Sequence, residues 1–250
     1  MTASVRGRRD RSGHGARTAL AGLFLLALAA PARADWTIAA YLGSSFTRPA
    51  SLLLTQGSSS TRIREVHFDA KPFESPPYYG YRAGWRGARG LGVEAELIHL
   101  KVFARRADLP GSIERFSISH GLNLLLGNAT WETNEHRRAA LQVRVGAGLA
   151  IPHGESEISG VTQEQYEVSS LALQGAAGPV VRLANHFSAF VEYKVTTASP
   201  SVSVAGGRIS GRYTTQHVAF GVAWIFSGVH SAGSERQKPE FRRSGAEENP

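Results

Sequence analysis

The sequence predicts an all-β protein: a closed, antiparallel, up-and-down transmembrane β-barrel of about eight strands. Three observations predict it. Eight segments alternate apolar with polar or small residues at period two, the period of a strand. Short turns and long polar connections alternate between those segments. The polar face carries Arg, Lys and Glu interleaved with Gly and Ala, as a narrow lumen requires, while Trp36, Tyr79, Tyr81, Trp85, Tyr193 and Trp224 lie on the apolar face near segment ends. Aromatics there match the girdles that meet lipid headgroups.

The N-terminus is set apart from the barrel. Arg6, Arg8, Arg9, Arg11 and Arg17 precede a wholly apolar run over residues 19–30, followed by Ala32-Arg33-Ala34. This order predicts a secretory signal peptide over residues 1–34, with a run too short to span a bilayer as a helix. Asp10-Arg11-Ser12 after the Arg8-Arg9 pair favours the general export route. Six of the 28 Lys and Arg and one of the 20 Asp and Glu fall in this leader. The remainder carries only about +3, so the basic balance is a targeting property rather than a nucleic-acid footprint. There is no Cys, which excludes a disulfide framework in an exported chain. The expected domains are the leader, a barrel over residues 35–226, and a tail over residues 227–250 whose Ser, Gly, Glu, Arg and Pro predict disorder.

The segments follow in order. Trp36, Ile38, Ala40 and Leu42 oppose Thr37, Ala39, Tyr41 and Gly43; Tyr79, Tyr81, Ala83 and Trp85 oppose Gly80, Arg82, Gly84 and Arg86. Leu91, Val93, Ala95 and Leu97 oppose Gly92, Glu94 and Glu96. The fourth segment, residues 117–131, is irregular: Leu122, Leu124 and Leu126 share a face with Leu125 opposite, which suggests a bulge. In the fifth, Leu141 through Ile151 alternate with Gln142, Arg144, Gly146, Gly148 and Ala150. The sixth sets Leu171, Leu173 and Val181 against Gln174, Gly178 and Arg182, and the seventh sets Phe187, Val191 and Tyr193 against Ser188, Glu192 and Lys194. The last sets Val218, Phe220, Val222, Trp224 and Phe226 against His217, Ala219, Gly221 and Ala223. Residues 87–90, 133–138 and 184–186 read as short turns; residues 48–77, 100–116, 152–166 and 197–211 read as long polar connections. All short turns then fall at one end, the periplasmic one in an outer-membrane barrel.

The final segment, His217-Val-Ala-Phe-Gly-Val-Ala-Trp-Ile-Phe226, resembles the assembly signal of bacterial outer-membrane barrels, although that pattern ends its chain at the aromatic and this one continues to Pro250. Val66-His67-Phe68-Asp69-Ala70-Lys71-Pro72-Phe73-Glu74, Pro77-Tyr78-Tyr79-Gly80, His120-Gly121-Leu122-Asn123-Leu124-Leu125, Gly146-Ala147-Gly148-Leu149-Ala150-Ile151-Pro152-His153 and Phe190-Val191-Glu192-Tyr193-Lys194 extend the likeness. Through them the chain resembles the outer-membrane β-barrel-domain family of about eight strands, and within it proteins named lipid A oxidases. The resemblance implies a location in the bacterial outer membrane and insertion by its assembly machinery. It also implies dioxygen-dependent conversion of the proximal glucosamine of lipid A to an aminogluconate.

Three groups of residues are candidates for chemistry. Arg82 and Arg86 can lie beside Glu94 and Glu96 across a short turn, Glu192 and Lys194 repeat the arrangement, and Arg144 and Arg182 share the polar face. They form a lumenal salt-bridge network, since buried charges must be paired. The second group is His67, Asp69, Glu74, His99, His120 and His153, in or beside the long connections. An oxidase without an organic-cofactor motif would hold a divalent metal on His and carboxylate ligands, for which His120, His153 and Asp69 are the choice. The plain alternative is that they are ordinary strand-end polar residues. The third group, Arg62, Arg64, Lys71, Arg105, Arg106 and Arg115, would meet lipopolysaccharide phosphates. No organic cofactor, nucleophile or phosphate-loop motif is evident. The expected partners are outer-membrane lipid and lipopolysaccharide, with no nucleic acid, and the expected state is a monomer. The chain is therefore read as a structural or surface-interaction barrel, with a lipid A-modifying enzyme as the alternative. A solute pore is disfavoured, because eight strands leave an interior that side chains fill.

Overall fold

The computed structural model describes residues 35–133 and 137–227. The expected signal peptide, the expected tail beyond Ser227 and part of the 133–138 turn lie outside the described residues. Fourteen strands run in chain order: β1 (Asp35–Thr47), β2 (Ala50–Gln56), β3 (Ser59–Val66), β4 (Phe68–Asp69), β5 (Tyr79–Arg86), β6 (Leu91–Ala104) and β7 (Ile113–Glu132). Then come β8 (Ala139–Ile158), β9 (Val161–Tyr166), β10 (Ser170–Ala184), β11 (Phe187–Ala198), β12 (Ser201–Val204), β13 (Gly207–Gly211) and β14 (Tyr213–Ser227).

Eight of these, β1, β5, β6, β7, β8, β10, β11 and β14, pair in sequence order, each antiparallel to the next. First and last close the ring, in register from Asp35 opposite Ser227 to Thr47 opposite Thr215. Closure leaves no unpaired edge, which is what lets strands stand in hydrocarbon.

The outward face is apolar. Trp36, Ile38, Leu42, Val145, Leu171, Val191, Phe220 and Trp224 are all exposed. On β1 the outward column runs from Trp36 to Phe46, ten residues at about 3.3 Å each and tilted by about 40°, a height of about 25 Å. That matches the hydrocarbon band of an outer membrane. Trp36, Trp85 and Phe226 are cross-strand neighbours at the short-turn end. Phe46, Tyr79 and Tyr193 stand toward the other end, so the two aromatic girdles are present.

The inward face changes character along single strands. On β7 it runs Glu132, Thr130, Asn128 and then Leu126, Leu124, Leu122; on β6 it runs Glu94, Glu96 and then Ile98, Leu100. The leucines of the fourth segment thus fill the lumen, while Leu125 and Trp131 face lipid. The suggested bulge is there: pairing with β8 shifts between Ser117 and Leu122, with Gly121 at φ 122°. Few residues other than glycine adopt that conformation.

The long connections differ most from expectation. They read as polar loops, yet they are mostly sheet. β6, β7 and β8 continue well past the apolar belt, β9 folds back on β8, and β2, β3, β12 and β13 form a second, four-stranded sheet. The outer cap contributes Leu52, Leu54, Ile63, Val66, Leu100, Val102, Ile113, Phe116, Ile118, Val202, Val204 and Ile209 to an apolar core that continues into the upper barrel through Leu122, Leu124 and Leu126. Each strand contributes only one to three of the cap residues, diluted by Ser, Thr and Gly, so no single run carries a strong signal.

Candidate functional site

The barrel interior comes first because the register builds it. Pairing of β5 with β6 sets Arg82 opposite Glu96 and Gly84 opposite Glu94. Arg82 Nε donates to Glu96 at 2.9 Å and its Nη2 reaches across the lumen to Glu192 at 2.5 Å. Arg144 donates to Glu94 at 2.6 Å and also bonds Glu192. Lys194 bonds Glu96 and lies 3.5 Å from Glu192. Tyr41, Asn128 and Gln174 each donate to Glu96, at 2.6, 2.8 and 2.5 Å. Three cations meet three carboxylates, and neutral donors add bonds to Glu96 and Glu94, so the buried charges are paired, the condition under which they are tolerated.

Arg86 departs from the expected ladder. It pairs with Glu132 on β7, which Arg182 also approaches at 3.5 Å, because it stands too near the short turn to reach Glu94 or Glu96. The space left among Arg82, Glu94, Glu132 and Arg144 is about 40 Å³, enough for a few waters. Sequence reading passed over Glu132, Asn128 and Tyr41. Glu132 and Asn128 share the parity of the leucines on β7, which disguised that column as apolar.

The histidines and acids separate into unlike surroundings. Asp69 is exposed and paired with Arg105 at 3.0 Å, outside the group that His120 and His153 form. His67 is bound by Asp108: its backbone N–H donates to the carboxylate at 2.8 Å, and its ring lies 2.9 Å away. Those two contacts hold the Asp108 carboxyl below its ordinary range. Glu74 pairs with Lys71 at 3.1 Å. His99 stacks on Tyr79 with ring centroids 4.8 Å apart and bonds Asn123 at 2.9 Å.

His120 and His153 do converge, with ring centroids 4.8 Å apart. His153 sits on β8 with the outward parity of Leu149 and Ile151, just past the apolar belt. His120 reaches it from the β7 bulge. The third member is Glu164 of β9, 2.8 Å from His153 Nε2 and 3.6 Å from His120 Nδ1. Tyr166 stacks on the His153 ring at 3.7 Å. Glu155 contacts His120 and accepts from Ser119. Burial pushes the Glu155 carboxyl up, but the bonds from Ser119 and His120 outweigh it and hold it below the usual range.

Glu164 and Tyr166 are in place because Ser159-Gly160 turns β8 tightly into β9. Both residues have positive φ, 51° and 76°, the two-residue hairpin geometry. Register then sets His153 opposite Tyr166 and Glu155 opposite Glu164. The Ser-Gly pair was the available sequence signal: a hairpin folded there brings Glu164 to His153 where Asp69 had been expected.

Fold, belt and lumen together define the class: this is a closed eight-stranded transmembrane β-barrel. No protein-family model matches the chain, and no curated protein does. Among solved structures it is similar to Neisserial surface protein A (13% identity, TM-score 0.42, covering 77% of this chain and 99% of that one). It is also similar to Ail, the attachment invasion locus protein of Yersinia pestis (11%, TM-score 0.38, 78% and 99%). The outer membrane protein OprG from Pseudomonas aeruginosa matches at 11% identity and TM-score 0.43, over 79% and 97%. None of their roles transfers to this chain at such distance.

Proposed function

We propose that this protein is a non-conducting outer-membrane barrel whose role is structural and interactive: it anchors a folded cap among lipopolysaccharide headgroups. The observation that carries the reading is the plugged lumen. Arg82, Arg144 and Lys194 are tied to Glu94, Glu96 and Glu192 in the membrane-spanning part, and apolar side chains fill the interior above them. A solute path would have to break those pairs. The cap surface suits phosphate contact, with Arg48, Arg62, Arg64 and Arg212 exposed and without an acidic partner within 4 Å among the described residues. Planar-bilayer recording of the refolded protein tests it. No stepwise conductance is expected, and stable, reproducible channels would overturn the proposal.

A second reading, modification of lipid A at the outer leaflet, is favoured by one observation. His120, His153 and Glu164 meet on the outer wall of the barrel, above the apolar belt, rather than in the lumen. Mass spectrometry of lipid A from a strain lacking the protein decides it. Under this reading an aminogluconate form disappears, and an unchanged profile removes the reading.

A further inference from the structure

We infer that His120, His153 and Glu164 form a binding site for a divalent first-row transition metal on the outward wall of the barrel, immediately above the apolar belt. The inference stands on geometry and donor chemistry and does not depend on lipid A being a substrate.

The three side chains come from three adjacent strands, and each is placed by a specific local feature. The β7 bulge at Gly121 carries His120 toward β8, β8 supplies His153 in regular register, and the Ser159-Gly160 turn returns Glu164 beside them. One ligand atom from each lies within 4.8 Å of the others. Ligands at about 2.1 Å from a shared ion sit about 3.0–3.4 Å apart in octahedral or tetrahedral arrangements. The 2.8 and 3.6 Å separations of Glu164 from the two rings already bracket that range. The remaining closure falls to His120, whose half-exposed ring would exchange its contact with Glu155 for the ion.

Burial supplies an independent pointer. His153 is 6% exposed, and its Nδ1 has no hydrogen-bond partner. A buried imidazole nitrogen without a partner carries a desolvation cost. Tyr166 fixes the ring plane by stacking, as the neighbours of a ligating histidine must. Glu155, cross-strand from Glu164 and in contact with the same His120 Nδ1, adds a second carboxylate charge that favours a cation at this spot.

The donor set selects the metal class. Two imidazoles and one carboxylate suit zinc, iron, cobalt, nickel or copper better than calcium or magnesium, which prefer oxygen. Three protein ligands leave at least one coordination position, and here it opens outward into the headgroup layer. An exogenous phosphate, hydroxyl or water oxygen is the ligand chemistry available there.

The test uses the full chain refolded in detergent without a polyhistidine tag, titrated with Co²⁺ and then displaced by Zn²⁺. One Co²⁺ per chain is expected, with visible d–d bands and a dissociation constant in the micromolar range. His120→Ala and Glu164→Gln alter exposed side chains and leave the barrel folded, which the gel shift between unheated and heated samples checks. Each weakens binding at least about tenfold. His67→Gln changes an exposed histidine outside the group and leaves binding intact. Absence of saturable binding up to about 1 mM overturns the inference, and so does binding that either variant leaves unchanged.

Discussion

The two ends of the molecule solve the same problem with opposite chemistry. Between the short turns and roughly the level of Glu96, the inside is ionic and the outside apolar. Beyond Ile98 on β6 and Leu126 on β7 the inside turns apolar, and the outside carries arginines, serines and threonines. On the inside of β1, β11 and β14 Ser45, Thr47, Thr196, Thr215 and His217 remain, with Thr47 bonded to Thr215 and Thr196 to His217. The switch happens within continuous strands, β6 between Glu96 and Ile98 and β7 between Asn128 and Leu126. Surroundings explain it. In the membrane, lipid is as apolar as any core, so burying leucine inside gains little and the interior is organised by charge pairing instead. Above the membrane, water restores the hydrophobic effect, and the cap packs like an ordinary soluble domain. A strand crossing that boundary keeps its period and exchanges the meaning of its faces.

The largest expected effect tests the ionic half. Glu96 receives Arg82, Lys194, Tyr41, Asn128 and Gln174, so Glu96→Ala leaves only Glu94 and Glu192 to balance three buried cations. Removing one partner of a buried ion pair typically costs about 3–5 kcal/mol. The urea midpoint of the folded barrel in detergent should fall accordingly. Pairing Glu96→Gln with Lys194→Met removes charge from both sides and should recover most of the loss. Equal loss in the single and double variants would show that packing, not charge, holds this half.

The apolar half should yield a smaller and more local change. Leu100 is fully buried between barrel and cap, and Leu100→Ala in such a site costs about 2–5 kcal/mol where the surroundings cannot collapse. Protease cleavage within residues 48–77 and 199–212 should accelerate several-fold, while the gel shift of the intact barrel persists. Loss of the barrel along with the cap would mean the two ends fold as one unit, and the contrast between them would then be chemical only.

The barrel was legible in the sequence because membrane strands must alternate over nine or more residues, and β1, β8 and β14 do so almost without exception. The cap was not, because its core is assembled from many strands contributing one to three residues each. Leu52 and Leu54 announce nothing until Ile63, Val202 and Ile209 are seen to meet them. The site divides in the same way. Charges that were opposite across a short turn, such as Arg82 and Glu96, could be paired by counting. Glu132 could not be assigned to Arg86 without knowing how β6 and β7 stagger. His120 and His153 were selectable as residue types near strand ends, but Asp69 was chosen only as a carboxylate in a long connection, and Arg105 holds it elsewhere. Glu164 depended on reading Ser159-Gly160 as a turn.

The smallest effect separates the ends by acid. In the cap, burial raises the Glu155 and Glu167 carboxyls, but their hydrogen bonds prevail, from Ser119 and His120 in one case and from Ser203, Arg208 and Gln165 in the other. Both are therefore held below the ordinary carboxylate range. A depressed carboxylate contributes stability above its unfolded value, near pH 4.3, and loses that contribution as pH falls through its lower folded value. The cap should thus loosen as pH is taken below about 4, whereas at neutral pH the contribution is fully present. Glu155 and Glu167 are each partly open to solvent, so the change is a fraction of that of a secluded pair. Hydrogen exchange of the β8–β9 hairpin between pH 6 and pH 3.5, corrected for intrinsic rates, measures it. Replacing both acids with Gln should flatten the pH dependence. A hairpin whose protection stays constant in the unaltered protein would show that these bonds are not what fastens it to the barrel.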